Sequence, residues 1–242
     1  MEILVRIVKA IVTISAGAGI LAFIRERFEK KNDHKPYGIY EAYIKRPLDV
    51  FLATGALIVL SPVIGIVAVQ VRIKLGTPIF FKQRRPGKDE KVFCLIKFRS
   101  MTDEKDSQGR LLPDEKRLTN LGKMLRSTSL DELPELLNII KGDMSIVGPR
   151  PLLLRYLPYF TESERHRHDV RPGLTGVAQT SGRNLLTWNE RFELDILYVN
   201  NISFLRDLGI VWKTVKTVLS REDIITSGTE ASIPDLDEER KC

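Results

Sequence analysis

Residues 50–69 read VFLATGALIVLSPVIGIVAV, twenty positions without a charged side chain. A helix needs about 20 such residues to cross the roughly 30 Å hydrocarbon core of a bilayer. Ser61 and Pro62 lie at the centre of this segment. A proline there removes a backbone N–H donor, and its ring clashes with the carbonyl of Ile58. The sequence therefore predicts a membrane helix that breaks or bends at Ser61 and Pro62.

Basic residues flank this segment on both sides. Lys45 and Arg46 precede it, and Arg72 and Lys74 follow it. A spanning helix should carry more positive charge on its cytoplasmic side, whereas a helix that enters, breaks and returns places both flanks in the cytoplasm. Each arm of about eleven residues reaches about half-way through the hydrocarbon. We therefore predict a re-entrant helix-break-helix over residues 41–74, with a proline-kinked spanning helix as the alternative.

The N-terminal residues 1–40 are predicted to form a second membrane-associated helix and a linker. Residues 10–24 carry no charge, and four basic residues follow within residues 25–31. An apolar run that ends in a basic cluster, and not in a small-residue cleavage site, argues against a signal peptide. This helix either spans the membrane with its basic end inside or lies in the interface.

The chain is basic, with 38 Lys and Arg against 31 Asp and Glu. Residues 221–242 contain seven acids and three bases, so residues 1–220 keep 35 bases and 24 acids, a net charge of +11. Such a body favours an anionic partner: nucleic acid, a phosphorylated small molecule or an anionic lipid surface. We expect no nucleic acid partner, because no RNA-binding motif or helix-turn-helix pattern accompanies the charge. Residues 221–242 are predicted to be an acidic, disordered tail.

Residues 75–220 have the pattern of a compact cytoplasmic domain. The segments 79–83 and 91–99 are rich in β-branched and aromatic residues and lie on either side of Pro86–Gly87, which predicts a hairpin. Helical patterns follow, several of which open at a serine or threonine that can cap. They occupy residues 119–125, 129–140, 161–168, 187–199 and 203–219. The two cysteines, Cys94 and Cys242, are too few for a disulfide framework.

The predicted fold class is α+β and mostly helical: a re-entrant membrane helix-break-helix, a small cytoplasmic domain with a short β-hairpin, and amphipathic interfacial helices. The last helix carries apolar residues at steps of three and four. Core packing is the first interpretation of this stripe, and an interfacial face on a membrane protein is the second. The stripe consists of Phe204, Leu208, Val211, Trp212, Val215, Val218 and Leu219.

The candidate chemistry lies in residues 125–152, LRSTSLDELPELLNIIKGDMSIVGPRPL. Ser129 followed by Glu132 fits a capping box, which would place Asp131 and Glu132 in the first turn of a helix. The helix dipole would keep Asp131 ionised there. Adjacent carboxylates on a helix diverge by about 100°, so these two suit different tasks better than sharing one proton. Downstream, Pro149 and Pro151 present Arg150 rigidly, and an arginine fork suits phosphate oxygens.

Seven motifs in this order resemble the bacterial sugar transferase family, the monotopic phosphoglycosyl transferases, and in particular its small PglC-like members. The resemblance covers about residues 45–219, and several short matches in a fixed order make it specific. The motifs are KRPLD at 45–49, the apolar run with a central SP, QRRPG at 83–87, KFRSM at 97–101, LRSTSLDELPELLN at 125–138, GDMSIVGPRPLL at 142–153 and VRPGLTGVAQTSGRN at 170–184.

The resemblance implies an enzyme that moves a sugar 1-phosphate from a UDP-sugar to polyprenyl phosphate and releases UMP. It implies that Asp131 is a covalent nucleophile, that Glu132 lies beside it, and that Mg²⁺ is required and held by this pair. It also implies a location at the bacterial inner membrane, with the site on the cytoplasmic face. The expected partners are the UDP-sugar, the polyprenyl phosphate, the lipid bilayer and downstream glycosyltransferases.

The same resemblance, with the residue chemistry, gives a set of candidate substrate-binding residues. Arg126 and Arg150 are the first candidates for phosphate contact, because arginine binds phosphate oxygens in a fork. The set is Arg126, Pro149, Arg150, Pro151, Arg171, Lys97, Arg99, Gln179 and Arg183. Gly173 and Gly176 would allow close backbone approach. His166 and His168 are predicted to be surface residues, and a non-catalytic membrane-surface adaptor is the alternative function.

Overall fold

The computed structural model describes residues 34–182, 186–220 and 234–241. The predicted N-terminal helix therefore lies outside the described residues, as does Arg183. The helices are α1 (Lys45–Lys74), α2 (Asp114–Arg117), α3 (Asn120–Ser127), α4 (Glu135–Lys141), α5 (Glu162–Arg165), α6 (Val177–Thr180), α7 (Trp188–Val199), α8 (Phe204–Ser220) and α9 (Leu236–Glu239). The strands are β1 (Phe80–Pro86), β2 (Val92–Phe98), β3 (Ser145–Val147) and β4 (Gly173–Thr175). The predicted mostly helical architecture with a small sheet is confirmed.

The long helix α1 follows a π-helical turn at Tyr40–Ile44 and continues through Pro62. Pro62 has no N–H to donate to the carbonyl of Ile58, four residues earlier. The hydroxyl of Ser61 donates to that carbonyl instead, at 2.8 Å. The Ser61–Pro62 pair thus compensates for its own missing hydrogen bond, and the predicted break is not a gap in the helix. Among the described residues, Tyr40–Lys74 is the one helix long and apolar enough to cross a membrane.

The two ends of α1 pack against different parts of the same domain. Ala53, in the first half, lies in a core cluster with α4 and β2, and Ala56 and Leu57 pack against it. Val67 and Val71, in the second half, lie in another cluster that includes the end of β2 and α3. Residues 58–63, around the proline, belong to neither cluster.

The first turns of α1 are bound to the domain by polar contacts. Arg46 donates to the carbonyls of Ile139 and Ile140 at 2.8 and 3.2 Å, among the last carbonyls of α4. Asp49 accepts from the Ser145 hydroxyl at 2.6 Å. Lys45 pairs with Asp207 of α8 at 2.5 Å. The basic pair before the apolar run therefore has partners inside the protein as well as a place at the helix entrance.

The predicted hairpin is confirmed. Strands β1 and β2 are antiparallel in the register Phe80 with Phe98 and Pro86 with Val92, and Pro86–Gly87 opens the turn. A second, parallel pair of strands was not predicted from the sequence: β3 lies beside β4, with Ser145 opposite Gly173 and Val147 opposite Thr175. Each strand of this pair has only three residues, too few for the alternating pattern that marks a strand.

The helix predicted over residues 129–140 is divided in the structure. Ser129 has φ +55° and makes no side-chain cap, so the predicted capping box is wrong. A 3₁₀ turn covers Leu130–Glu132, and α4 begins only at Glu135, directly after Pro134. Proline is tolerated at a helix start, where its missing N–H removes no intrahelical bond. Capping boxes do form at two other predicted helix starts, those of α5 and α7.

The apolar stripe of α8 is largely exposed. Val211 is the stripe residue that packs against a core cluster, beside the buried Ile210, which lies outside the stripe. Phe204, Leu208 and Val215 are exposed, and Trp212 is 72% exposed. The preferred prediction of core packing is therefore wrong for most of the stripe, and the second interpretation, an interfacial face, fits the structure.

Two further predictions need correction. The tail is not wholly without structure: residues 234–241 contain α9, and Leu236 is fully buried in a cluster with Tyr156 and Trp188. The residues that hold this segment lie far from it along the chain, so composition alone does not reveal its structure. His168, predicted on the surface, is buried next to the Phe160 ring.

Candidate active site

Asp131 lies in the short 3₁₀ turn between α3 and α4 and is 8% exposed. Burial and then the negative charge of Glu132 raise the pKa of Asp131 to about 6. The opposite effect was predicted from the sequence, because a helix dipole would favour the ionised carboxylate. The correction has a structural reason: a three-residue turn supplies little dipole, whereas burial penalises the charged form directly. At pH 7 Asp131 is nevertheless mostly ionised.

Three cations lie near enough to the Asp131 carboxylate to favour its charge. Lys97, Arg126 and Arg150 each act on its pKa in the lowering direction, against the larger effect of burial. Within the described part of the chain no group donates a hydrogen bond to this carboxylate. Asp131 thus combines a carboxylate that no described residue binds by a hydrogen bond with a positive environment, which is the combination that an anionic electrophile requires.

Glu132, unlike Asp131, is hydrogen-bonded to two cationic side chains. Its Oε1 atom accepts from Lys97 Nζ at 2.6 Å and from Arg150 Nη2 at 2.8 Å. Burial opposes its charge, but Arg150 and Lys97 prevail and lower the pKa of Glu132. The same contact raises the pKa of Arg150. The expectation that two adjacent carboxylates would do different work agrees with this geometry, since only Glu132 is paired.

Glu135 is a site residue that the sequence argument missed. It is buried, and its Oε1 lies 3.2 Å from Lys97 Nζ, so Lys97 bridges two carboxylates. Burial and the charge of Glu132 raise the pKa of Glu135. The sequence contains a signal that could have identified Glu135. Residues three and four apart share a helix face, and Glu135 follows Glu132 by three.

The backbone around Arg150 is held at each of three consecutive carbonyls. The carbonyl of Pro149 accepts from the Gly173 N–H at 2.9 Å, that of Arg150 from Arg167 Nη2 at 2.8 Å, and that of Pro151 from Arg85 Nη1 at 3.3 Å. Both prolines are buried. These three contacts bind the loop to the fold, in agreement with the predicted rigid presentation of Arg150, and two arginines have a supporting role that the sequence did not reveal.

Glycines allow the strands under this loop to approach closely. A Cβ atom on Gly173 would lie 2.1 Å from the Gly148 nitrogen, and one on Gly176 would lie 2.3 Å from the Gly148 oxygen. The close approach predicted for Gly173 and Gly176 is therefore present, between two segments of the protein's own backbone.

Two further predicted site residues, Arg126 and Arg99, differ in exposure and in hydrogen-bond partners. Arg126 is exposed and donates through Nε to the Ser100 hydroxyl at 3.1 Å. Arg99 is buried; it donates to the Thr77 carbonyl at 2.9 Å and pairs with Asp103 at 3.1 Å. Arg99 therefore binds Thr77 and Asp103, whereas Lys97 binds the site carboxylates Glu132 and Glu135.

Two more candidates are engaged within the fold. Arg171 donates through Nε to the Gly142 carbonyl at 2.9 Å, after the end of α4. Gln179 donates to the Leu174 carbonyl at 3.1 Å. Arg183 stays a prediction.

A divalent cation would find a limited set of ligands here. Among the described residues no three His, Cys, Asp or Glu side chains form a metal-binding group. Mg²⁺ usually binds through one or two carboxylates and completes its shell with water and phosphate oxygens. Neither Asp131 oxygen accepts a hydrogen bond from a described residue, and Glu132 has one oxygen outside the Lys97 and Arg150 contacts. This pair fits a substrate-shared Mg²⁺ and does not fit an all-protein cage.

Comparison with known proteins gives the family. A family profile described as bacterial sugar transferase matches residues 40–221. The uncharacterized sugar transferase EpsL of Bacillus subtilis (strain 168) is 54% identical over 181 residues, which cover 75% of this chain and 90% of that protein.

Two relatives carry names that state a reaction. The UDP-N-acetylgalactosamine-undecaprenyl-phosphate N-acetylgalactosaminephosphotransferase of Aeromonas hydrophila is 35% identical over 193 residues, 76% of this chain and 45% of that protein. The UDP-glucose:undecaprenyl-phosphate glucose-1-phosphate transferase of Klebsiella pneumoniae is 38% identical over 181 residues, 71% of this chain and 39% of that protein. The match spans less than half the length of these two proteins and nearly all of EpsL. The chain therefore belongs to the bacterial sugar transferase family of enzymes.

Proposed function

We propose that this enzyme transfers a sugar 1-phosphate from a UDP-sugar to a membrane polyprenyl phosphate, with Asp131 as the nucleophile. The observation that carries the proposal is the Asp131 carboxylate, buried, free of hydrogen bonds from the described residues and set among Lys97, Arg126 and Arg150. The names of the Aeromonas and Klebsiella relatives support transfer to undecaprenyl phosphate as the general reaction.

The reaction divides into two displacements at one phosphorus atom. An Asp131 oxygen attacks the phosphorus that bears the sugar, the bond from that phosphorus to the UMP oxygen breaks, and UMP leaves with the electron pair. A phosphate oxygen of the polyprenyl phosphate then attacks the same phosphorus and displaces Asp131. The carboxylate is restored, and the product is a polyprenyl diphosphate sugar. A covalent nucleophile makes each step a displacement of a stable leaving group.

Charge neutralisation is the main task of the surrounding residues. One anion attacks another in both steps, so phosphate charge must be screened and held in line with the attacking oxygen. Arg150 and Arg126 are exposed enough to reach a substrate, whereas Lys97 is held between Glu132 and Glu135. We assign Arg150 and Arg126 to phosphate binding, and Lys97 to holding the two carboxylates in place. Mg²⁺, held by Asp131 and Glu132, would supply further positive charge to the phosphates.

The packing of α1 supports the re-entrant path. A straight helix of 30 residues is about 45 Å long, more than the roughly 30 Å hydrocarbon core. If it crossed the bilayer, its two ends would lie on opposite sides. Ala53 and Val71, however, both pack on the same domain, and residues 58–63 belong to neither cluster. We propose that both ends of α1 stay on the cytoplasmic face of the inner membrane and that the proline region dips into one leaflet.

The exposed face of α8 extends the proposed membrane surface. Tyr40 and Lys45 both bind Asp207, at 2.8 and 2.5 Å, which fixes α8 beside the start of α1. Phe204, Leu208 and Trp212 are exposed on α8. An apolar face with basic residues around it is typical of helices that lie in the membrane interface. The site would then face the lipid surface on which polyprenyl phosphate lies.

Release of UMP tests this function. The purified protein in detergent, with Mg²⁺ and undecaprenyl phosphate, is incubated with a panel of UDP-sugars. We expect UMP with at least one donor, and a mass gain of one sugar phosphate on Asp131 when the polyprenyl phosphate is omitted. Absence of UMP with every donor, together with binding to liposomes, would favour the non-catalytic adaptor. UMP release with no adduct at any time would remove Asp131 from the nucleophile role.

A further inference from the structure

Residues 234–241 form a short segment outside the family match, which ends at residue 221. We name this segment the C-terminal clasp. Leu236 is its buried anchor and is 0% exposed. The Trp188 indole N–H donates to the carbonyl of Pro234 at 2.9 Å. The apolar socket around Leu236 consists of Tyr156, Phe160, Trp188 and Phe192.

Charges of both signs fix the direction of the clasp. Arg155 pairs with Asp235 and lies 3.5 Å from Asp237. At the other end, Arg240 pairs with Glu164 at 2.7 Å. An acidic residue before Leu236 therefore meets a basic residue of the body, and a basic residue after it meets an acidic one. This complementarity specifies one orientation and one register for the segment.

The clasp reaches the support of the Arg150 loop through one aromatic ring. The Arg240 guanidinium lies 5.5 Å from the centre of the Phe192 ring, and the Arg167 guanidinium lies 5.7 Å from the same centre. Arg167 is buried, pairs with Asp195 at 2.7 Å and donates to the Arg150 carbonyl at 2.8 Å. The same ring thus contacts the clasp and the residue that holds Arg150.

A second connection runs through Tyr156. Its hydroxyl donates to Asp235 at 2.5 Å, and its ring packs against Trp188 at 5.4 Å between centres. Tyr156 belongs to the 3₁₀ segment Leu154–Tyr159, which begins four residues after Arg150. The clasp therefore contacts the chain on the C-terminal side of the Arg150 loop directly, and reaches Arg167 through the Phe192 ring.

We propose that the C-terminal clasp is a detachable element that positions Arg150, so that its docking sets the affinity of the enzyme for the UDP-sugar. The anchoring is small in extent: among residues 234–241 Leu236 is the one buried apolar side chain, Arg155–Asp235 is an exposed ion pair and Arg240–Glu164 a partly buried one. Exposed ion pairs contribute little, and the burial of one leucine can be reversed. The covalent link through residues 221–233 keeps the detached segment at a high effective concentration. The proposal rests on the proposed function, since it assigns Arg150 to substrate phosphate.

The test uses the full chain with Leu236→Ala and Arg240→Ala together, the undocking variant. Glu238→Gln is the matched control, because Glu238 is an exposed acidic residue of the same segment. We expect the undocking variant to raise KM for the UDP-sugar at least threefold with kcat within twofold of the unsubstituted chain. The control should change neither. A synthetic peptide of sequence SIPDLDEERK should lower the raised KM again.

Docking has a readout independent of catalysis. The chain has two tryptophans, and Trp212→Phe leaves Trp188, in the socket, as the one emitter. In that background the undocking substitutions should shift Trp188 emission to longer wavelength and increase its quenching by acrylamide, and the peptide should reverse both. Unchanged emission, or changed emission with an unchanged KM in an active enzyme, would overturn the proposal. If the unsubstituted chain releases no UMP from any donor, the proposed function is wrong and the positioning role falls with it.

Discussion

Arg150 Nη2 donates to Glu132 Oε1 at 2.8 Å, across eighteen residues of sequence. This contact joins the rigid loop after β3 to the turn that carries Asp131. The Arg150 side chain remains 45% exposed. Only part of its fork is used by Glu132, so the other N–H groups are available to a phosphate.

Replacement of Arg150 by alanine should lower kcat/KM for the UDP-sugar by about 10- to 100-fold. This range corresponds to the roughly 1.5–3 kcal/mol contributed by a hydrogen bond to a charged group. The measurement is the initial rate of UMP release over a series of donor concentrations. Arg84→Ala is the control, because Arg84 is an exposed arginine of β1. Equal rates for the two variants would contradict a role of Arg150 in substrate binding.

Asp131→Asn should abolish turnover and stabilise the fold. The pKa of Asp131 is raised to about 6, so the folded state favours the protonated carboxyl and loses stability as pH rises from about 4 to 6. A neutral amide removes that penalty, which is up to about 3 kcal/mol for a shift of about two units. Thermal unfolding should show a higher Tm for Asp131→Asn than for the unsubstituted chain, by more at pH 7.5 than at pH 5. A lower Tm at pH 7.5 would contradict the assigned ionisation cost.

The rate of adduct formation should fall at acid pH. The nucleophile must be ionised, and the pKa of Asp131 is raised to about 6. We expect the single-turnover rate to be pH-independent above about pH 7 and to decrease tenfold per unit well below pH 6. Rapid-quench mass analysis of the adduct measures this. A rate that stayed constant from pH 7 to pH 5 would mean that ionisation of Asp131 does not limit the attack.

Features with a local cause were predicted well from the sequence. The hairpin follows from two β-rich segments and a Pro–Gly turn, and three helix starts follow from the caps at Thr119, Thr161 and Thr187. The selection of Asp131, Glu132, Arg126, Lys97 and Arg150 as one site required the family resemblance. Local sequence patterns do not predict that β2, the turn before α4 and the loop after β3 lie side by side.

The errors share a different cause, namely tertiary contacts that no local pattern encodes. Burial of Asp131 outweighs any effect of a helix end, and Pro134 delays the start of α4. The stripe of α8 has the period of a core helix, yet sequence periodicity does not say whether protein or lipid covers it. Leu236 lies in a strongly acidic segment whose composition predicts disorder, but the aromatic socket for it lies some 40 to 80 residues earlier in the chain.

Cysteine labelling should place both ends of α1 on one side of the membrane. Lys35→Cys and Lys74→Cys are introduced singly into a chain with Cys94 and Cys242 replaced by alanine. Both positions are exposed in the structure. A membrane-impermeant maleimide should label neither in intact spheroplasts and both after lysis. Val63→Cys, next to the proline, is the control within the hydrocarbon and should stay unlabelled throughout. Labelling of only one end from outside would mean that α1 spans the bilayer.

Gly173→Ala should destabilise the domain, since the new Cβ would lie 2.1 Å from the nitrogen of Gly148. The atom it meets is backbone, so no side chain can move aside, and the strain falls on the β3–β4 pair beneath Arg150. Overpacking of this kind costs about 1–3 kcal/mol, and a contact this short belongs at the upper end.

Gly209→Ala is the control, because nothing lies within 4 Å of its added Cβ and alanine favours the helix. Chemical denaturation in detergent should show a lower midpoint for Gly173→Ala and an equal or higher midpoint for Gly209→Ala. Equal midpoints for Gly173→Ala and the unsubstituted chain would mean that β3 and β4 can separate freely, and the rigid loop that presents Arg150 would lose its structural basis.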